Sequence, residues 1–290
     1  MRIMKKASIV VTLTTLLYNG YAQTGQPGIE SDLPKGKKWK LVWHDEFDGN
    51  ELDTTKWGFR LHIMQTRHST WTDDAYELDG EGRLLLKLYE KDGHYFTSQL
   101  QTGSNYMDRP GDQYGKSKLT WPIAQLETPK FVHRYGYYEI RCKLPTQEGW
   151  WAAFWLQSPI IGSSLDPLEA GVEIDIMENF QRKGGISQNL HWNGYGKDHQ
   201  HIGSGNLDLD ANDGEFHTYG VDWSPSGYVF YMDGKETWRV PGPVSHREQF
   251  ILISAEANGY RNGAPASILR KANLPDYFVV DYVRVYDEVN

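Results

Sequence analysis

After residue 38 the chain carries the two-residue hydrophobic period of β-strands and very little helical period. Segments such as Arg83–Leu88, Gly136–Arg141 and Tyr228–Met232 are short and rich in apolar or aromatic residues. Asp79-Gly80, Asp92-Gly93, Pro225-Ser226-Gly227 and Asp233-Gly234 punctuate such runs with residue types that accept the positive φ of tight hairpin turns. Helix is predicted only as short pieces, at Asp166–Ala170 or Gly263–Lys271. Many strands, few helices and no internal repeat predict an all-β protein, a sandwich of two curved antiparallel sheets. A concave sheet of that kind forms an open cleft suited to a polymer.

Against this pattern the run Glu173-Ile174-Asp175-Ile176-Met177-Glu178 is anomalous, because it sets three carboxylates among β-branched and apolar residues. Desolvating a carboxylate is costly unless it is paired or used in chemistry, so the three predict a shared polar cleft. In a pleated strand Glu173 and Asp175 share a face, whereas strict alternation sends Glu178 to the other. A β-bulge taken up at Ile176-Met177 returns Glu178 to the face of the other two. A helix fails at the same task, since five residues leave Glu173 and Glu178 about 140° apart around its axis. Two carboxylates converging on one side of a strand suit glycosidic bond cleavage, one acting on the anomeric carbon and the other protonating the leaving oxygen.

Two neighbouring segments supply further candidates. Along Trp150–Gln157 the residues Trp151, Ala153, Trp155 and Gln157 share one face, and Trp150, Ala152, Phe154 and Leu156 the other. One face is expected to be core and the other cleft, with Trp151 or Trp155 stacking on a sugar and Gln157 beside them. The segment Asn189–Gly196 follows the acidic run after the loop Gln181–Ile186. A hairpin there lays His191 opposite the carboxylates, where its imidazole can tune the acid, and Trp192 is counted with it as lining the cleft. Lys197, His199 and His201 form a small cationic group on the next loop, read first as a solvated surface and only second as an anion or metal site.

The acidic run, together with WWAAFWLQ at Trp150–Gln157, resembles the signature of glycoside hydrolase family 16, which contains laminarinases, lichenases, agarases, porphyranases and carrageenases. WHDEFDGNELDTTKW at Trp43–Trp57, YGYYEIRCKLP at Tyr135–Pro145, FHTYGVDWSPSGYVFYMDGK at Phe216–Lys235 and VDYVRVYD at Val280–Asp287 are similar to family blocks, in family order. The resemblance implies a jelly-roll β-sandwich and a retaining double displacement, with Glu173 as nucleophile, Glu178 as acid/base and Asp175 as a helper between them. Retention implies carboxyl groups ~5 to 5.5 Å apart. The resemblance also implies a structural Ca2+ opposite the cleft, held by Glu46, Gly49 and Asp281, largely through backbone oxygens plus the Asp281 carboxylate, since oxygen donors suit calcium. No cofactor is expected for catalysis.

The chain departs from the family pattern just before the acidic run. Laminarinase-like members carry a Trp-Pro pair and a Gly there, whereas this chain reads Asp166-Pro167-Leu168-Glu169-Ala170-Gly171-Val172, and Ala152-Ala153 replaces the usual Pro-Ala. Long segments at Leu61–Asp74 and Gln101–Pro122, rich in Tyr, Trp, His and Arg, can reshape the groove. The substrate is therefore left open between a β-1,3 or mixed-linkage β-glucan and a β-linked galactan. A noncatalytic carbohydrate-binding sandwich and a transglycosylase are the other readings. The acidic trio speaks against the first, because binding gains nothing from buried like charges.

Composition narrows the function classes. A net charge of -8 argues against nucleic-acid binding and against a generally basic surface, while 11 Trp and 18 Tyr suit the apolar faces of sugars. Cys142 is alone, cannot form an internal disulfide, and is expected to be a small buried hydrophobe. Arg2, Lys5 and Lys6, the mostly apolar Ala7–Leu17 and the small residues of Gly20-Tyr21-Ala22 predict a signal peptide over residues 1–22. Its apolar run is shorter than the ~20 residues of a membrane span. With no cysteine after Ala22, a secreted or periplasmic protein is expected. Residues 23–38 are read as a flexible leader and 39–290 as one catalytic domain, monomeric, with a polysaccharide as its partner.

Overall fold

The computed structural model describes residues 29–60, 70–103, 128–180, 184–257 and 269–289, and the backbone of 113–114 and 119–120. Among these residues a nine-stranded and an eight-stranded sheet face each other as a jelly-roll sandwich, with antiparallel pairing throughout the ladders. The outer sheet runs Lys235–Val240, Gly227–Met232, His217–Ser224, Gly136–Lys143, Asp276–Val289, Leu84–Lys91, Tyr76–Leu78. Lys38–Asp45 also pairs with Asp276–Val289, and His94–Phe96 with Leu84–Lys91. The inner sheet runs Gln200–Gly203, Gly185–Trp192, Glu173–Asn179, Trp150–Gln157, Phe250–Ala257, Gln99–Gln101, Gly58–Phe59.

Alternation fills the space between the sheets. Leu84, Leu86 and Leu88 point inward from the outer sheet, as do Tyr138, Ile140 and the lone Cys142. They meet Trp150, Ala152, Phe154 and Leu156 from the inner sheet, the set that the sequence pattern assigns to one face. Removing such large apolar surfaces from water is the main force holding the layers together. The short helix is Pro167–Ala170; Asp166 caps it by accepting from the Leu168 amide at 2.9 Å, and Gly171 ends it at φ 83°. Of the second predicted piece, Leu269–Lys271 is a 3-10 turn and 263–268 lie outside the described residues.

The leader reading needs a correction. Residues 1–28, with the predicted signal peptide, lie outside the described residues, but Ile29–Lys37 packs on the outer sheet. The Asp32 amide donates to Glu139 Oε2 at 3.0 Å, Thr218 Oγ1 donates to Asp32 Oδ2 at 2.8 Å, and Lys37 pairs with Asp222 at 2.7 Å. A polar segment looks unstructured in sequence when its partners lie more than a hundred residues away. Among the described residues no helix is long and apolar enough to cross a membrane.

Candidate active site

The strand Glu173–Asn179 lies between Trp150–Gln157 and Gly185–Trp192. Against the first neighbour, Ala153 faces Glu178 and Phe154 faces Met177, but Trp155 faces Asp175, so Ile176 is the extra residue. Against the second neighbour the register shifts between Asp175 and Glu178. Ile174, Ile176 and Met177 are all fully buried in the core. This is the bulge that parity requires, and it leaves Glu173, Asp175 and Glu178 on the opposite, cleft face.

Each carboxylate has a different surrounding. Glu178 Oε1 accepts from Trp151 Nε1 at 3.0 Å and Oε2 accepts from Asn189 Nδ2. Burial, then the charge of Asp175, pushes the Glu178 pKa up to about 8. The like charge that weighs most on Glu178 is thus Asp175. Asp175 is itself pushed up by burial and by Glu173, and its Oδ2 lies 3.2 Å from His191 Nε2, an ion-pair contact. Glu173 uses one oxygen for its donors: Oε2 accepts from Gln157 Nε2 at 3.1 Å and from the Tyr195 hydroxyl, while Oε1 accepts from none of the described residues. Burial raises the Glu173 pKa, and His191, Tyr195 and Arg60 hold it back.

His191 faces Glu173 across the hairpin, as predicted. Burial disfavours its charge, but Asp175 and the other two carboxylates outweigh that and raise its pKa to about 9. Its second nitrogen, Nδ1, lies 2.9 Å from His199 Nε2, and the rings of His199 and His201 continue the stack. The loop cluster read as a solvated surface therefore extends from the site itself. One donor atom each from Glu173, Asp175 and His191 lie within 4.8 Å of one another. Glu173 Oε2 accepts hydrogen bonds and Asp175 Oδ2 pairs with His191 Nε2, which fits a proton-sharing network.

The flanking candidates divide. Trp151 is half-buried, packs its ring on Phe180 at 4.7 Å and ties Glu178. Trp155 is also half-buried; the Arg60 guanidinium covers one face at 4.8 Å and its N–H donates to Ser254 Oγ at 3.0 Å. Gln157 is buried and donates to Glu173. Trp192 is a correction: its neighbour His191 takes the cleft face, so Trp192 points the other way and packs against the core.

Arg60, Tyr195 and Asn189 were not singled out from sequence. Asn189 has the parity of His191 and was open to the same reasoning. Arg60 was signalled by a lone charge in the apolar run Trp57-Gly58-Phe59-Arg60-Leu61, the anomaly that gave away the acidic strand. Tyr195 sits past the end of its strand, where no period applies. Most of the two long segments expected to reshape the groove, 61–69 and most of 104–122, lies outside the described residues.

The calcium set does not fit. Arg284 holds the Glu46 carboxylate with two hydrogen bonds, at 2.8 and 2.7 Å, and Arg141 holds Asp281 at 2.7 Å. Glu46 and Gly49 line one hollow of about 280 Å³, and Asp281 is not on its wall. Asp281 is held by Arg141 and lies off the hollow that Glu46 and Gly49 line, so the structure does not gather the three around one ion site.

Comparison with known proteins places these features in context. The model of the family described as "Glycosyl hydrolases family 16" matches residues 64–250. The glucan endo-1,3-beta-glucosidase A1 of Niallia circulans is 26% identical, with 86% of this chain and 38% of that protein covered, so this chain spans well under half of that relative. The beta-glucanase of Rhodothermus marinus is 27% identical, with 87% of this chain and 86% of that protein covered. The solved endo-beta-1,3-glucanase of Pyrococcus furiosus matches with a TM-score of 0.63 and 25% identity, over 89% of this chain and 97% of that one.

Proposed function

We propose, from the premise that the chain belongs to the glycosyl hydrolases of family 16, that it is an endo-acting β-glucanase which cleaves internal β-1,3 or mixed β-1,3/1,4 linkages with retention of configuration. The observation that carries this reading is the bulged acidic strand. It turns three carboxylates to one cleft face, where burial raises the pKa of each, with His191, Tyr195 and Arg60 holding that of Glu173 back.

In this reading Glu173 attacks the anomeric carbon with Oε1, the oxygen without a donor among the described residues, while Gln157 and Tyr195 hold Oε2. Glu178, kept protonated at neutral pH by burial and by Asp175, donates its proton to the departing glycosidic oxygen. The bond to the leaving sugar breaks and the ester on Glu173 forms. Esterification removes one negative charge from the cluster, and because Glu173 and Glu178 repel each other, Glu178 then gives up its proton more readily. It can now accept a proton from the water that attacks the same carbon and releases the ester. Asp175 and His191 act as an ion pair that fixes the charge felt by Glu178.

The glucan preference draws support from the relatives, whose names state glucan substrates. Export through residues 1–22 belongs to the same proposal and is tested by determining the N-terminus of the exported protein. The enzymatic test is reducing-end release with product sizing from laminarin, lichenan, agarose and porphyran, wild type beside Glu178→Gln. Oligosaccharides from laminarin or lichenan, lost in the variant, are expected. Cleavage confined to agarose or porphyran would move the substrate to β-galactans. A folded protein that releases nothing would favour the noncatalytic binding sandwich.

A further inference from the structure

Arg60 is an unusual cation. It is 6% exposed, and among the described residues no carboxylate lies within ion-pair distance of it. Its guanidinium lies over the Trp155 ring at 4.8 Å, and its Nη2 donates to Gln157 Oε1 at 2.7 Å. A buried charge without a partner is expensive, so its compensation must come from somewhere near. The nearest anion in the chain of contacts is Glu173, one amide away: Arg60 donates to the Gln157 carbonyl oxygen, and the Gln157 NH2 donates to Glu173 Oε2. The carbonyl end of Gln157 is thereby turned to the arginine and its amino end to the carboxylate. Burial works against the charge of Arg60, and Tyr195 and Glu173 support it.

We propose that Arg60 is a positioning residue that acts through Gln157 on Glu173 and speeds chiefly the second half of the reaction, the breakdown of the glycosyl ester. This rests on the reading of Glu173 as the nucleophile. While Glu173 is ionised, its charge balances Arg60; once the ester forms, Arg60 sits beside a neutral group, with no other carboxylate of the described residues supporting its charge. In breakdown, water attacks the anomeric carbon, the bond from that carbon to the Glu173 oxygen breaks, and its electron pair returns to the carboxylate as Glu178 takes the proton of water. The departing carboxylate regains its charge next to the buried cation, which makes it a better leaving group. In the first half the same cation makes the carboxylate less nucleophilic, so the two steps respond differently.

The experiment uses the full protein and 2,4-dinitrophenyl 2-deoxy-2-fluoro-β-laminaribioside, whose activated leaving group lets the ester on Glu173 accumulate. The ester is followed by intact mass and peptide mapping, and its breakdown is timed after excess reagent is removed. Arg60→Met is expected to slow breakdown by about 10-fold or more, the effect of roughly one pKa unit at the departing carboxylate, with formation of the ester, at a pH where Glu173 is ionised, unchanged or faster. Arg60→Lys, which keeps the charge, restores most of the loss. The acid limb of kcat/KM moves to higher pH in Arg60→Met, since Glu173 loses a cation while Asp175, Glu178, His191 and Tyr195 still face it. Gln157→Leu keeps Arg60 but cuts the link, and should repeat the slowed breakdown if Arg60→Met does not fold. Equal breakdown rates in wild type and variants, with only a lower melting temperature, would assign Arg60 to structure alone and overturn the inference. A wild type that forms no ester on Glu173 would instead remove the nucleophile reading, and the inference with it.

Discussion

Each sheet buries an acid, and the two are treated differently. In the outer sheet Glu139 is fully buried, yet Tyr282 and Tyr137 donate to its two oxygens at 2.8 and 3.2 Å and the Asp32 amide donates at 3.0 Å. Burial pushes its pKa up, and hydrogen bonds from Ser31, Tyr282 and Tyr137 pull it back. In the inner sheet Glu173, Asp175 and Glu178 face one another across a bulge, and one oxygen of Glu173 has no donor among the described residues. Burial of an acid therefore does not by itself mark chemistry. An acid whose oxygens are satisfied by hydroxyls and amides is scaffold; acids that crowd like charges into a cleft are kept for proton and group transfer.

The largest expected effect separates the two acids directly. Glu178→Gln should lower kcat/KM by about 10³-fold or more, within the range of a lost general acid. Glu139→Gln should change kcat/KM by no more than about 3-fold while lowering stability by about 1–3 kcal/mol, through the loss of buried hydrogen-bond acceptance. Steady-state kinetics and thermal melts on both variants decide it, and a comparable activity loss in Glu139→Gln would erase the distinction.

The next effect lies in pH dependence. Because the Glu178 pKa is raised to about 8, activity should fall as pH rises through that value. In Asp175→Asn the charge that helps raise it is gone, so the basic limb should move to lower pH; an unmoved limb would remove Asp175 from its assigned role. Stability follows the same group. Glu178 binds its proton more tightly folded than unfolded, so its contribution is fully present below the ordinary glutamate range and declines as pH rises to about 8. Melting temperatures of Glu178→Gln should lack that decline and exceed wild type at alkaline pH.

The smallest effects concern support. A Cβ at Gly203 would collide with Asn189 Oδ1, and Asn189 is the partner of Glu178 Oε2. Gly203→Ala should therefore lower kcat by a few-fold with KM little changed, and no change in kcat would show that Asn189 is dispensable. Millimolar Ca2+ or a chelator should leave the melting temperature within about 1 °C, since Asp281 is already paired with Arg141 and lies off the hollow lined by Glu46 and Gly49.

What could be read from sequence followed from local rules. The bulge was legible because the spacing of Glu173, Asp175 and Glu178 conflicts with a period of two, and only an extra residue resolves the conflict. His191 was legible because a short connection forces an antiparallel neighbour. The same rule, applied strictly, would have excluded Trp192. The pairing of Asp281 with Arg141 went unseen and the leader was misread because the partners, Arg141 for the former and Glu139 and Thr218 for the latter, come from distant strands. Arg60 reaches Gln157 from 97 residues away, and no periodicity encodes such a meeting.

The most direct single measurement is proton NMR of the first products formed from laminarin by the wild-type protein. A double displacement through Glu173 predicts that new reducing ends emerge as the β-anomer and only later mutarotate to the equilibrium mixture. Products that emerge as the α-anomer would contradict it, because they would require a single inverting attack by water and leave Glu173 no ester to form.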